Sequence, residues 1–395
     1  MKVAAVFGTR PEAIKMAPVV HALRRRAQAG ADLQPLVYVT GQHRGMLDQV
    51  LRLFDIEPDA DLDVMRPDQQ LADLSARMLV GLEPLLERDR PDLVLVHGDT
   101  TTALAGALAA YYRRIPVGHV EAGLRTGDRY SPFPEELNRR LVDALATYHF
   151  APTAQAVANL KAEGTTASVL QTGNTVIDAL LLTLERIGEG AEKSLLRHCP
   201  ALEPALARGR RLVLVTCHRR ENHGPALASI CGALLELTET FRDVDIVYPV
   251  HPNPQVRAAA ERYLAGANRV HLLPPLDYDV FCCLMSLSHL ILTDSGGVQE
   301  EAPALNKPVL VLRDTSERPE AVAAGAAKVV GTLHEDIVEA VTLLLTDRDE
   351  YRRMAEAPSP YGDGRAAERI AAFIERLAQP ATLRPKKGRR DRVRL

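Results

Sequence analysis

The sequence lacks tryptophan and has few other aromatic residues, with 7 Phe and 10 Tyr among 395 residues. Proteins that bind single-stranded nucleic acids stack bases on aromatic rings, and this chain offers little material for such a surface. It also lacks any run of 18 apolar residues, and the short apolar run at residues 2–7 is no signal peptide. We therefore expect a soluble, cytoplasmic protein with no nucleic-acid or membrane partner.

The motifs of common cofactor and metal sites are missing as well. No G-x-G-x-x-G follows an apolar run, no Lys follows a Gly, and His334-Glu335 is not followed by the second His of a zinc protease. These absences argue against a nicotinamide dehydrogenase, a P-loop nucleotidase and a zinc protease, and we expect no cofactor and no metal. The five cysteines form no C-x-x-C pair, and their odd number argues against a disulfide framework and fits a reducing compartment.

The composition that is present is ordinary for a globular protein, with 46% hydrophobic and 25% charged residues. The length exceeds what one core usually serves, so two domains are expected. The formal net charge is −3, although the last twelve residues hold seven Lys or Arg and one Asp. The rest of the chain is therefore mildly acidic, and affinity for an anion must come from a local site. We predict that residues 380–395 form a disordered basic tail.

Short apolar runs alternate with segments of helical spacing along most of the chain. This alternation is typical of βαβ units, whose strands are buried on both faces of a parallel sheet. It lapses at residues 185–211 and then restarts, which predicts an α/β protein of two doubly wound domains, 1–175 and 176–359, with a central cleft. The predicted strands are residues 3–7, 36–39, 93–96, 116–120 and 168–171, then 212–216, 245–250, 269–273, 290–293 and 309–312.

Two glycine-containing turns follow predicted strands. In GTRPE, residues 8–12, a strand-to-helix turn offers backbone N–H groups and Arg10 to an anion; the alternative is that the glycine and proline of this segment only shape the turn. In DSGGVQEE, residues 294–301, a glycine pair at a helix start favours a diphosphate bound by backbone N–H groups and Ser295. Glu301, further along that helix, is either a ligand of ribose hydroxyls or a solvated surface residue.

Three carboxylates occupy positions where catalytic groups are often found. Asp99 and Glu121 each follow an apolar run, which places them at the carboxyl ends of strands, where ligands of such folds bind. Asp99 has an alternative role as the cap of a helix beginning near Thr100, and Glu121 has one as a plain loop residue. Glu135 lies at a predicted helix start, and its alternative is an ordinary ion pair with Arg139 one turn on.

Two histidines also stand at strand ends. His218, in CHRREN, has two arginines beside it, which favours contact with a diphosphate or proton transfer over packing. His251, in the proline-rich PVHPNP, fits a structural role equally well. Cys217 precedes His218, but adjacent residues of an extended strand point to opposite faces, which argues against a thiol nucleophile beside the histidine.

Eight segments, in this order, resemble the non-hydrolysing UDP-N-acetylglucosamine 2-epimerases. They span residues 2 to about 364 and read FGTRPEAIKMAP, HGDTTT, GHVEAGLRTGDRYSPFPEELNR, GNTVIDAL, HRREN, PVHPNP, TDSGGVQEEAP and RDTSERPEA. The resemblance implies two Rossmann-like domains in the GT-B glycosyltransferase-type fold, with a final helix near 360–378 packed back on the first domain. It also implies a homodimeric isomerase that acts on UDP-N-acetylglucosamine, without a cofactor, to supply precursors of cell-surface polysaccharides.

The family's functional residues map onto this chain through the matching segments. The resemblance implies a diphosphate site, a ribose ligand in Glu301 and a segment around Phe281 that frames uracil. It implies acid or base roles for three carboxylates and a place for Lys15 and Arg139 in the same site. The diphosphate residues are Arg10, His218, Ser295, Gly296 and Gly297, and the carboxylates are Asp99, Glu121 and Glu135.

The reaction implied is elimination of UDP across C1 and C2 to 2-acetamidoglucal, followed by its return with the C2 proton on the other face, giving UDP-N-acetylmannosamine. A C2 proton beside no carbonyl is weakly acidic, so departure of the C1 oxygen must build positive charge before a base can remove it. Two carboxyl groups serve the two faces better than one, and the sequence does not assign base and acid. The alternatives are a hydrolysing relative that releases N-acetylmannosamine, a glycosyltransferase of the same fold, and a non-catalytic UDP-sugar sensor.

Some members of the family are activated by a second substrate molecule. Gln42, Arg219 and His251 match residues implicated in that second site. Gly45 and Asp68 stand where regulated members have a polar amide and an arginine, so the resemblance to a regulated enzyme is incomplete.

Overall fold

The computed structural model describes residues 1–41, 44–66, 69–165 and 167–379. The chain folds into two compact units. Unit 1 comprises residues 1–175 and the segment that begins at Arg365, and unit 2 comprises residues 176–364. The predicted tail at 380–395, together with Gln42 and Asp68, lies outside the described residues. No helix among the described residues is long and apolar enough to cross a membrane.

Unit 1 is built on a seven-stranded parallel sheet. Its strands are β1 (Lys2–Phe7), β2 (Gln34–Val39), β3 (Ala60–Asp61), β4 (Leu93–His97), β5 (Val117–Val120), β6 (Tyr148–Ala151) and β7 (Ser168–Gln171). Its connecting helices are α1 (Arg10–Gln28), α2 (Arg44–Leu53), α3 (Leu71–Asp89), α4 (Thr101–Tyr112), α5 (Glu135–Leu145) and α6 (Ala154–Ala162). The strand order is β3-β2-β1-β4-β5-β6-β7, so the order reverses between β1 and β4.

Unit 2 repeats this plan with six parallel strands. The strands are β8 (Arg211–Thr216), β9 (Val244–Pro249), β10 (Val270–Leu273), β11 (Leu290–Thr293), β12 (Val309–Val311) and β13 (Ala327–Val329). The first six α-helices are α7 (Thr175–Ile187), α8 (Ala191–His198), α9 (Glu203–Ala207), α10 (Pro225–Thr240), α11 (Pro254–Leu264) and α12 (Tyr278–Leu287). They are followed by α13 (Gly296–Glu301), α14 (Pro319–Ala323), α15 (His334–Thr346) and α16 (Arg348–Ala355). The order β10-β9-β8-β11-β12-β13 reverses between β8 and β11.

The last helix, α17 (Ala366–Ala378), belongs to unit 1. Its Glu368 accepts hydrogen bonds from Arg25, at 2.5 Å, and from Arg26, at 3.2 Å, both in the last turn of α1. The ring of Phe373 packs edge-on against Tyr148, with ring centroids 5.3 Å apart, so α17 also reaches β6. Ion pairs at its exposed side and an aromatic contact at its buried side fix this helix on unit 1.

The predicted architecture of two doubly wound α/β sheets is confirmed. All ten predicted strands are present, with ends that move by one or two residues. The strands β3, β6 and β13 were not predicted, because β3 and β13 have only two and three residues and β6 is interrupted by the polar His149. Residues 185–211, where the alternation of apolar runs and helical segments was found to lapse, contain α8 and α9. These helices pack Leu195 and Ala205 into the core of unit 2.

Candidate active site

Asp99 lies at the reversal of strand order in unit 1, where ligands of doubly wound sheets usually bind. The cap of α4 is Thr100, whose side chain accepts from Ala103 N at 3.0 Å, so the capping role considered for Asp99 is taken by its neighbour. The Asp99 carboxylate instead accepts a hydrogen bond from Arg139 on α5. Asn138, beside Arg139, donates from Nδ2 to the Asp99 carbonyl at 2.9 Å. Asp99 is thus fixed at both its main chain and its side chain, with the carboxylate partly exposed.

Glu121 follows β5, the strand adjacent to β4, and is held in a left-handed conformation with φ 66°. Its Oε2 accepts hydrogen bonds from Lys15 Nζ on α1 and from Asn174 Nδ2, the latter at 2.8 Å. The Glu121 and Lys15 side chains are only 11% and 16% exposed, so this ion pair is largely shielded from solvent. A non-glycine residue at positive φ is costly, and such strain concentrates at functional sites.

His97, the last residue of β4, lies beside this ion pair. Its Nε2 is buried, lies 3.8 Å from Glu121 Oε2, and makes no hydrogen bond to a described residue. Burial lowers the pKa of His97 to about 3, which Glu121 opposes only in part. The ring is therefore neutral near pH 7 and leaves the positive charge beside Glu121 to Lys15.

Glu135 is the first residue of α5 and is half-buried. The spacing of Glu135 and Arg139 suggested an ion pair between them. Arg139 instead pairs with Asp99 and lies 3.3 Å from Glu136. No hydrogen bond joins Glu135 to another candidate residue within the described ranges. Glu135 therefore shares a helix with the partner of Asp99 but is not in direct contact with Asp99 or Glu121.

The turn at residues 8–12 starts α1, and Arg10 is the first, half-buried residue of that helix. Glu12, which the sequence pattern did not single out, is 1% exposed and accepts hydrogen bonds from Gly8 N, Thr9 N and the Thr100 hydroxyl at 3.1, 2.8 and 2.7 Å. Burial raises the pKa of Glu12 to about 7, although these hydrogen bonds act to lower it. The carboxyl ties the start of α1 to the residue after Asp99.

In unit 2, His218 and Asp294 follow the adjacent strands β8 and β11, where the strand order reverses. Asp294 Oδ1 lies 3.1 Å from His218 Nδ1, and Oδ2 accepts from the backbone N of His218 and of Arg219, both at 2.8 Å. Although burial raises it, hydrogen bonds from His218 and Arg219 bring the pKa of Asp294 down to about 2. Asp294 was not among the predicted site residues, yet it engages Nδ1 of His218 and leaves Nε2 for a ligand.

The second-site candidates are placed only in part. His251 is exposed, and its ring stacks on that of His218 with centroids 5.3 Å apart, so it packs beside a candidate diphosphate ligand. Arg219 donates to Glu317 at 3.2 Å. Gln42 lies outside the described residues, so the structure neither assembles nor separates the three.

The glycine pair begins α13 directly after Ser295. A Cβ added at Gly296 would lie 3.5 Å from Arg318, and one added at Gly297 would lie 3.9 Å from Glu301, which are ordinary contacts. The packing of the described chain therefore does not demand glycine at either position. Backbone N–H groups without side chains beside a hydroxyl are suited to an anion that must approach closely.

Glu301, at the end of α13, is buried rather than a solvated surface residue. Its Oε1 accepts a hydrogen bond from the Tyr278 hydroxyl at 2.9 Å. Tyr278 begins α12, and Phe281, one turn later, packs partly buried against the same core. The structure therefore brings Glu301 and the α12 segment of Phe281 together, and Tyr278, which the sequence did not single out, joins them.

The described residues contain no group of three or more His, Cys, Asp or Glu that could hold a metal ion. Unit 1 offers two paired carboxylates with a lysine and an arginine, which suits proton transfer. Unit 2 offers a histidine, a hydroxyl and glycine N–H groups at a strand reversal, which suits a diphosphate.

The chain is similar to known proteins in family, in sequence and in structure. The family described as UDP-N-acetylglucosamine 2-epimerase matches residues 25–375. A probable UDP-N-acetylglucosamine 2-epimerase of Ralstonia nicotianae is 56% identical over 95% of this chain and 98% of its own. The UDP-N-acetylglucosamine 2-epimerase of Escherichia coli is 54% identical, with the same coverage. The crystal structure of the UDP-GlcNAc 2-epimerase of Neisseria meningitidis bound to UDP-GlcNAc has a TM-score of 0.84 at 48% identity, covering 95% and 99%.

Proposed function

The chain belongs to the UDP-N-acetylglucosamine 2-epimerase family, and we propose that it inverts C2 of UDP-N-acetylglucosamine without hydrolysis, through elimination and re-addition of UDP. The observation that carries the proposal is the pair of adjacent strand ends in unit 1, where Asp99 and Glu121 are each bound by a cation. A substrate ring bound there would meet two carboxylates, each beside a cation, and removal and return of a carbon-bound proton call for such groups.

In the proposed forward step, an ionised carboxylate takes the C2 proton while the C1–O bond breaks and its electron pair leaves on UDP. A C1–C2 double bond forms, giving 2-acetamidoglucal. The reverse step adds a proton to the opposite face of C2 and the phosphate oxygen to C1, so atoms and charge balance and no redox partner is needed. We propose that Glu121, Asp99 and Glu135 divide these proton transfers.

The leaving diphosphate needs electrostatic stabilisation for the C1–O bond to break. We propose that its ligands are Arg10, His218, Ser295, Gly296 and Gly297. Support comes from the Asp294 carboxylate, which orients His218, and from the space left beside both glycines. Glu301, held by Tyr278, is proposed to bind ribose, and Phe281 to frame uracil.

We further propose a cytoplasmic homodimer. The five cysteines are free and buried, which agrees with a reducing compartment. Light scattering on the purified protein tests the assembly, since a dimer has twice the 43.2 kDa of one chain.

Isotope exchange tests elimination. In UDP-N-acetylglucosamine carrying ¹⁸O between C1 and phosphorus, release of UDP lets the β-phosphate rotate before it returns. We expect ¹⁸O to scramble into the non-bridging β-phosphate positions by ³¹P NMR while UDP-N-acetylmannosamine accumulates. Epimerisation without scrambling would refute cleavage of the C1–O bond to UDP and 2-acetamidoglucal. Accumulation of N-acetylmannosamine with UDP would instead identify a hydrolysing enzyme.

A further inference from the structure

His119, in the middle of β5, is fully buried and bonded at both ring nitrogens. Nδ1 lies 2.6 Å from Asp143 Oδ1, and Nε2 lies 2.7 Å from the carbonyl oxygen of Gly98. A carbonyl oxygen can only accept, and an ionised carboxylate can only accept. The His119 ring therefore joins the carbonyl that precedes Asp99 to the Asp143 carboxylate through its two nitrogens.

The carboxylate of Asp143, on α5, also reaches a second turn. Its Oδ2 lies 2.8 Å from Arg125 Nη2 and accepts from Gly123 N at 3.3 Å. Burial acts against the ionised form, but His119 and Arg125 hold the pKa of Asp143 below its ordinary value. A buried charge persists only where it is paired and fully hydrogen-bonded, and this pair meets that condition.

The two turns that the pair joins are those of the candidate carboxylates. Gly98, with φ 62°, immediately precedes Asp99, and Gly123, with φ 87°, follows Glu121 by two residues. The conformation of Glu121 is itself left-handed. A non-glycine residue such as Glu121 keeps this conformation only when its surroundings over-determine it.

The helix α5 adds further links on the same side. Asn138 and Arg139 hold the carbonyl and the carboxylate of Asp99, and Asp143 lies four residues after Arg139, one turn further along the helix. One helix therefore carries contacts to the turn of Asp99 and, through Asp143, to the turn of Glu121.

We propose that His119 and Asp143 are positioning residues, which set the separation of the Asp99 and Glu121 carboxylates without touching the substrate. The inference rests on the proposed roles of those two carboxylates. A misplacement of about 1 Å costs on the order of a hundredfold in rate, so loosening either turn lowers kcat more than it lowers binding.

The competing explanation is that the pair only stabilises the core, and the chain offers a matched control. His149, on the neighbouring β6, is 1% exposed and lies 2.9 Å from the backbone carbonyl of Asp143 through Nε2. Its Nε2 also lies 3.9 Å from Asp143 Oδ1, but its ring has no hydrogen bond to Gly98 or Gly123 in the described part of the chain.

The test compares His119→Asn, Asp143→Asn and His149→Gln in kcat, KM, affinity for UDP and Tm. Asn can replace the Nδ1 contact of His119 but is too short to reach Gly98, and Asn at 143 removes the charge while keeping the shape. We expect kcat to fall at least roughly thirtyfold in the first two, with KM and UDP affinity within about threefold. His149→Gln should lower Tm comparably and keep kcat within about threefold. Equal kcat losses in all three, or none in the first two, would overturn the proposal.

A measurement on the unaltered protein guards against variants that fail to fold. With ¹⁵N-labelled histidine, NMR of the His119 ring should show a hydrogen bond at each of its two nitrogens, as the contacts to Asp143 and Gly98 predict. A ring nitrogen of His119 without a hydrogen bond would refute this geometry. If the unaltered enzyme is inactive toward UDP-N-acetylglucosamine, the proposed function is wrong. If the unaltered enzyme is active and His119→Asn keeps its kcat, only the positioning role is wrong.

Discussion

At the scale of single residues, two of the candidate carboxylates each have a cationic partner. Glu121 meets Lys15 and Asn174, and Asp99 meets Arg139, in partly or largely buried surroundings. Opposite charge within hydrogen-bond distance favours the ionised form of an acid. In the proposed mechanism, the donor of the returning proton is one of these two carboxylates after it has accepted a proton, or Glu135.

The Glu121→Gln variant removes a proposed base and keeps the shape of the side chain. We expect kcat to fall by roughly 10²–10⁴, the usual contribution of a positioned general base. Exchange of the C2 proton with solvent deuterium should fall by the same factor, as followed by ¹H NMR. The matched control is Glu239→Gln on the exposed side of α10, which should keep full activity. Unchanged exchange in the Glu121 variant would remove it from the chemistry.

Glu12 makes the stability of the chain depend on pH. Its pKa is raised from 4.5 to about 7 by burial, so between these values the folded chain holds a proton that the unfolded chain releases. This contribution is complete below about pH 4.5 and is lost as the pH rises through 7. The difference is about 3 kcal/mol, at roughly 1.36 kcal/mol for each pKa unit.

The Glu12→Gln variant should therefore gain stability relative to the unaltered chain as the pH rises. Its amide can accept from Gly8 and Thr9 through oxygen and donate to the Thr100 hydroxyl. Urea unfolding at about pH 5 and about pH 8 measures the change, with the exposed Glu57→Gln in the same unit as control. Parallel pH dependence of the Glu12 variant and the unaltered chain would contradict the raised pKa.

At the scale of elements, apolar runs predicted the buried strands because parallel strands covered on both faces must be continuously apolar. The same runs placed Asp99, Glu121 and His218 at strand ends, which the structure shows. Strand order was not predictable, since it depends on which helices pack on which face. The contacts of Asp99 with Arg139 and of Glu121 with Lys15 join residues 40 and 106 positions apart, and no local pattern carries them.

Residues that support the site were missed for a related reason. His97, Asn174 and Asp294 lie inside segments that the sequence pattern singled out, at or shortly after strand ends. Their side chains act by contacting other residues, which becomes visible only when the strands are adjacent. Searching every polar residue within two positions of a strand end would have found His97 and Asp294.

The start of α13 offers a test of the diphosphate site. Gly296→Ala and Gly297→Ala should leave the stability of the ligand-free chain unchanged or raise it by up to about 1 kcal/mol, because the protein has room for each methyl group. Affinity for UDP, measured by calorimetry, should fall at least about tenfold, since the methyl group occupies space proposed for phosphate. Gly190→Ala, another glycine with open surroundings and negative φ, is the control. Undiminished UDP affinity in both variants would place the diphosphate elsewhere.

At the scale of the whole molecule, the two units follow the same plan, and each carries its candidate residues where its strand order reverses. Unit 1 concentrates carboxylates and their cations there, whereas unit 2 concentrates a histidine, a hydroxyl and a glycine pair. In the proposed mechanism, the carboxylates of unit 1 transfer protons and the histidine, hydroxyl and glycine pair of unit 2 bind diphosphate.

We propose that C2 loses its proton to the enzyme and that the sugar is linked to UDP in both substrate and product. The decisive experiment incubates the purified protein with UDP-N-acetylglucosamine in D₂O and follows the C2 position by ¹H NMR. We expect UDP-N-acetylmannosamine deuterated at C2, with little free UDP. Product that retains the original C2 proton would contradict it.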